Sequence, residues 1–271
     1  MTNKQNENKN LEQEQEEMAL VAQDATINLP ILAEPEEAKE IIAENLEGME
    51  VRFDKVTIPS GGGLAFTMIN EEGEEEPIKE LKGVILNKQP FKAYYEKSFD
   101  EKEEDDPGIP DCFSPDGKVS ADGYDCSKCP KGQWGSDRNG GRGKDCNDKV
   151  RVYILPEGNV FPIYIDLPPT SISNFTNYVK RLANKLLSYY GVVTSISLEK
   201  DKSDSGIQFS KAKFAKAADL SKEEKKAIKE YITSIKPQMQ ITQESIGEVV
   251  AETDESTEAT EYEAEEEEVL F

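Results

Sequence analysis

The four cysteines of this chain, Cys112, Cys126, Cys129 and Cys146, all fall in one short stretch, spaced C-x13-C-x2-C-x16-C. The stretch is rich in Gly, Asp and Pro and poor in apolar side chains. About fifty residues of such composition bury too little surface to fold unaided, so a staple is expected. Cys126 and Cys129 read as a knuckle, one tight turn carrying two thiols, with Gly123, Asp125, Gly132 and Gly135 supplying turn residues. The chain has no histidine, which excludes histidine triads, histidine general bases and histidine metal ligands. An all-cysteine tetrahedral set is then the natural donor set for zinc, and four thiolates leave no open position, so the expected zinc is structural. Two disulfides need an oxidising compartment, an iron–sulfur cluster uses the same ligands, and a redox Cys-x-x-Cys lacks its strand–helix context here.

Charge placement sets the domain plan. The formal net charge of the 271 residues is −23. Residues 1–50 carry −10 and residues 251–271 another −10, which leaves −3 on the 200 residues between. Within that middle, residues 151–240 sum to +5. Like-charge runs at chain ends read as solvated tails. The expected plan is a disordered acidic arm over 1–33, a short helix over 34–48, a core over 49–237 with the cysteine loop inserted at 106–149, and a disordered acidic tail over 238–271. No apolar run reaches membrane-spanning length, and the N-terminal residues MTNKQNENKNLEQEQEE lack a secretory apolar stretch. The expected location is the cytoplasm.

Periodicity gives a β-rich α+β chain. Alternation and turn residues predict strands at 50–58 and 64–69, then 81–86 and 91–95 as one long strand or two broken ones, with the acidic run 71–76 as a loop. A hairpin is expected over 150–155 and 160–166, and a second over 192–198 and 207–214. Between them, Ile172, Phe175, Val179, Leu182 and Leu186 repeat at helical spacing, predicting a helix over 170–187. Ser221 and Glu224 form a capping box that starts a last helix, over 221–235. Strands, one helix and a closing hairpin suit an OB-like Greek-key barrel, and other α+β folds as well.

In the hairpin over 150–166, alternation turns Val150, Val152, Ile154, Phe161, Ile163 and Ile165 to one face. It leaves Arg151, Tyr153 and Tyr164 on the other, expected to be exposed. Rings between cations on an open sheet suit base stacking and phosphate contact. Lys88, Lys92, Tyr94 and Tyr95, then Lys211 and Lys213, repeat the combination. Trp134, Arg138 and Arg142 sit on the cysteine loop as further candidates, with Trp134 as a lid on the metal the competing role.

The chain ends EYEAEEEEVLF. This acidic run and terminal Phe resemble the tails of bacterial and phage single-stranded-DNA-binding proteins. That resemblance implies partner binding by Glu265, Glu266, Glu267, Glu268, Val269, Leu270 and Phe271, the partners being replication and recombination proteins. A zinc loop inserted in an OB-type core also resembles the single-stranded-DNA-binding proteins of some large phages, although their zinc sites include a histidine that this chain lacks. FDKVTIPSGGGLAF (53–66) and PPTSISNF (168–175) are similar to uncharacterised proteins of phages and mobile elements of Gram-positive bacteria.

The expected function is therefore single-stranded-DNA binding in phage or mobile-element replication or recombination, in the cytoplasm of a bacterial host. A zinc-containing regulatory or scaffold protein with an acidic, DNA-mimicking surface is the second expectation. An enzyme is not expected. The loop Ser60-Gly61-Gly62-Gly63 has no Lys-Ser/Thr after it and is no phosphate-binding P-loop, and no convergent carboxylate set stands out.

Overall fold

The computed structural model describes residues 27–33, 35–45, 47–49, 52–70, 72–97, 109–138, 141–203, 206, 208–242 and 245–246. In chain order the elements are α1 (Pro30–Ala33), α2 (Pro35–Asn45), β1 (Lys55–Val56), β2 (Phe66–Ile69), β3 (Glu75–Ile78), β4 (Glu80–Tyr94), β5 (Cys112–Ser114), β6 (Asn147–Pro156), β7 (Ile163–Leu167), α3 (Pro169–Asn184), β8 (Val192–Lys202), β9 (Gln208–Asp219) and α4 (Lys222–Ile235). The chain divides into two units, Met1–Pro90 with Asp148–Gln240, and Phe91–Asn147 with Ile241–Phe271.

The first unit is built on a curled, half-barrel mixed sheet in the order β1-β7-β6-β4-β8-β9. β1 runs parallel to β7, with Lys55 beside Tyr164 and Val56 beside Ile165. β6/β7, β4/β8 and β8/β9 are antiparallel. β2 and β3 form a separate hairpin, joined to the end of β1 by the Thr57–Thr67 bridge. Val56, Phe66, Leu81, Ile85, Val152, Ile154, Ile163, Ile165, Ile196 and Phe214 fill the inner side. α3 lays Phe175, Tyr178 and Leu182 on them. Phe175 and Tyr178 meet the Phe214 ring at 5.2 and 5.9 Å, and the Tyr178 hydroxyl shares a hydrogen bond of 2.8 Å with Thr194.

β4 and β6 are buried on both sides, because Val84, Ile85 and Leu86, and likewise Val152, Tyr153, Ile154 and Leu155, are all enclosed. The two strands approach so closely at Gly83 that a Cβ there would lie 2.4 Å from the Leu155 carbonyl oxygen. α4 starts with the expected capping box: Ser221 accepts from the Glu224 amide at 3.1 Å and the Glu224 carboxylate accepts from the Ser221 amide at 2.7 Å. It buries Ile228 and Tyr231, whose hydroxyl donates to the Val160 carbonyl at 2.6 Å.

In the second unit the last residues of β4 pair antiparallel with β5, Lys92 opposite Ser114 and Tyr94 opposite Cys112. Phe91, Ala93 and Phe113 form a small apolar cluster with Ile241 and Ile246. A bridge between Val119 and Asp125 closes a tight hairpin, and a 3-10 turn covers Pro130–Gly132.

Several expectations are corrected. The strand expected over 50–58 shrinks to two residues, and β3 starts inside the acidic run expected as a loop. Ile27, Leu29 and Ile31, expected in a disordered arm, are buried, as are Met239, Ile241 and Ile246, expected in the tail. The cysteine-bearing unit starts at Phe91, inside a strand, earlier than the loop expected at 106–149. Among the described residues no helix is long and apolar enough to cross a membrane.

Candidate metal centre

Hydrogen bonds from polar turns place each cysteine of the second unit. The Asp125 carboxylate accepts from the amide and hydroxyl of Ser127 at 2.9 and 2.7 Å, which shapes the turn entering the knuckle. The Cys129 amide donates to the Cys126 carbonyl at 3.4 Å, and the Gly132 amide donates to the Cys129 carbonyl at 3.1 Å. Gln133 closes the turn with its side-chain amide on the Ser127 and Cys129 carbonyls. Cys112 is fixed by β5, and Cys146 by its amide, which donates to the Lys131 carbonyl at 2.9 Å.

All four cysteines line one cavity of about 370 Å³, together with Lys92, Tyr94, Glu96, Asp111 and Lys131. All four are free thiols. The cavity is roomier than an ion: among the described residues, no three His, Cys, Asp or Glu side chains stand close enough to form a coordination cluster. Coordination therefore requires the sulfurs to close inward. Burial pushes the Cys146 thiol up to about 11, with the other three cysteines adding to the shift and Lys92 opposing it. Burial, then Cys126 and Cys129, raises Cys112 as well. Cys112 and Cys146 thus lie close enough to the other cysteines to feel their charge, and a divalent cation among them would favour thiolates instead. The donor set, all sulfur around one cavity, fits zinc.

The nucleic-acid candidates scatter. Alternation gives the facing of Arg151, Tyr153 and Tyr164 correctly, but their expected exposure is wrong: all three are buried, Arg151 at 2%. The Phe53 ring covers Tyr153 at 6.0 Å, Tyr153 meets Tyr164 at 6.0 Å, and the Arg151 guanidinium lies 4.0 Å from the Tyr164 ring centroid. Asp166 takes up the charge of Arg151. Tyr94 is buried against Lys131, whose ammonium lies 3.4 Å from its ring centroid, and Tyr95 packs half-buried on the Phe91–Phe113 cluster. Arg138 is committed to structure: it pairs with Asp145 at 2.7 Å and donates to the Tyr95 and Glu96 carbonyls. Lys211 pairs with Asp201 at 3.2 Å.

Lys88, Lys213 and Arg142 are exposed, and Lys92 is half-buried in the cavity wall. Trp134 is 78% exposed with the Lys144 ammonium 5.1 Å from its ring, so it is no lid on the thiols. Tyr124, which the sequence did not single out, is 72% exposed in the hairpin just before Cys126. Its position beside the knuckle, next to Gly123 at φ 84°, was the available signal. Glu265, Glu266, Glu267, Glu268, Val269, Leu270 and Phe271 lie outside the described residues. Comparison of the chain with protein-family models, with curated proteins and with solved structures finds no match.

Proposed function

We propose that the chain is a single-stranded-DNA-binding protein of a phage or mobile element, acting in replication or recombination in the cytoplasm of a bacterial host. Its fold is read as an OB-type core with structural zinc in the cysteine unit. The observation that carries this reading is the strand order. Five strands, β4, β6, β7, β8 and β9, with α3 between the third and fourth, lie in the order β7-β6-β4-β8-β9. That is the order of an OB Greek-key core whose long first strand stands at the centre. The loop between the first and second strands and the loop between the fourth and fifth are where such cores take up oligonucleotides. Here the first of these loops, residues 95–146, holds the cysteines, Tyr124, Trp134 and Arg142. The second lies just past Lys200 and Lys202.

With the β6–β7 face filled, the proposed contacts shift to the exposed rings and cations of the first loop, the role being binding rather than catalysis. The acidic C-terminal residues are proposed to recruit replication and recombination proteins. The test is a fluorescence titration of full-length protein with labelled oligo(dT) over a salt series. The expected affinity falls with salt at a log–log slope of roughly −0.7 per phosphate neutralised. No retention at low salt, by the full chain or by a chain ending at Ile246, overturns the proposal.

The burial of Arg151, Tyr153 and Tyr164 favours a second reading, a zinc-containing regulatory or scaffold protein with an acidic DNA-mimicking surface. It predicts no oligonucleotide binding under the same conditions.

A further inference from the structure

Two lysines share the wall of the cysteine cavity. Lys92 comes from β4, where it pairs with Ser114, two residues beyond Cys112. Lys131 lies two residues past Cys129, and its own carbonyl holds the Cys146 amide. Its ammonium rests on the Tyr94 ring, another wall residue. The two lysines come from different segments and line the same cavity as all four cysteines.

Four thiolates around a divalent ion leave a charge of −2. We propose that Lys92, on β4, and Lys131, in the 3-10 turn past Cys129, are the counter-charges of a tetrathiolate metal centre. This rests on the zinc reading above. The remaining charged wall residues, Glu96 and Asp111, are carboxylates, and both are exposed. They cannot offset a dianion. The lysines are therefore positioning residues of the metal site, which removes Lys92 from the set available to a phosphate backbone. Groups that support ligands in this way typically change metal affinity 10–100-fold.

The test uses the metal-free full chain, titrated with Co²⁺ and then back-titrated with Zn²⁺. Wild type is expected to show the sulfur-to-cobalt charge-transfer band of four thiolates. Lys92→Met and Lys131→Met are expected to keep that band while zinc binding weakens about tenfold each. Lys92→Arg and Lys131→Arg, which keep the charge, are expected to restore most of the affinity. The exposed Lys88→Met serves as control and is expected to bind zinc as wild type does. If a Met variant fails to fold, the Gln variant of the same lysine takes its place. Unchanged zinc affinity in both neutral variants, with the cobalt band intact, overturns the counter-charge assignment and leaves the metal centre standing. No cobalt–thiolate band in wild type overturns the zinc reading and this inference with it.

Discussion

Arg151 and Asp166 face each other across β6 and β7 as register partners and meet in a two-pronged ion pair, Nε to Oδ1 and Nη2 to Oδ2, both at 2.8 Å. The pair is almost wholly enclosed, and the Tyr164 ring lies against the guanidinium. A cation that alternation places on the outer face of the sheet is thus held inside the protein.

Removing one partner strands the other's charge. Asp166→Ala is expected to lower unfolding stability by about 3–5 kcal/mol, measured by urea denaturation. Burial pushes the Asp166 carboxyl up, but hydrogen bonds and charge from Arg151 outweigh it and hold it below the usual carboxylate range. Its folded pKa being depressed, the unfolded chain takes up this proton first. The pair's contribution is therefore complete above the ordinary Asp value of about 3.9 and is lost as pH falls through the lower folded value. The variant should show a flatter acid limb than wild type.

Leu186 ends α3 in the left-handed region, at φ 57°, with its side chain 95% exposed. The Leu186 amide donates to Ala183 and the Leu187 amide to Leu182, a helix ending that glycine normally occupies. Leu186→Gly relieves the steric strain without loss of buried surface. It is expected to raise stability by about 1 kcal/mol, read as a higher denaturant midpoint.

Gly83→Ala is expected to do the opposite. The added methyl meets backbone, the Leu155 carbonyl oxygen at 2.4 Å, which no side-chain rotation can move. A loss of about 1–3 kcal/mol in the same denaturation experiment is expected.

Cys146→Ser is expected to abolish stoichiometric zinc, measured by elemental analysis of purified protein. Stripping wild type with a chelator should destabilise the cysteine unit before the sheet, since its own apolar cluster is small. Simultaneous loss of both units contradicts this.

Trp134→Ala is expected to weaken oligo(dT) binding by about 1–3 kcal/mol and to leave the denaturation midpoint unchanged, because the ring is exposed. Tyr124→Ala should behave alike. A shifted midpoint with unaltered binding assigns these rings to structure.

Local patterns proved legible where one face of an element meets water. The α3 stripe of Phe175 and Leu182, the Ser221 capping box and the β8–β9 hairpin follow directly from spacing. The inward side of β6 and β7 was legible too. What alternation cannot register is a cover on the second face: Tyr153 looks solvated until Phe53, a hundred residues earlier, is placed edge-on against it. The same limit hid Ile241 and Ile246, two isolated apolar residues whose partners lie far back in the sequence. For the candidate site, the spacing named the four cysteines that share the cavity, but Lys92 read as a nucleic-acid contact and Lys131 drew no reading at all. A charge shows its purpose only once its neighbours are known.

The cluster of Phe91 and Phe113 with Ile241 and Ile246 ties the cysteine unit to residues synthesised after α4. A ribosome must therefore deliver the chain as far as Ile246 before this unit can complete its apolar contacts, although its thiols emerge much earlier. Premature termination between α4 and Ile241 would spare every strand of the curled sheet and yet leave the cysteine unit without its last wall.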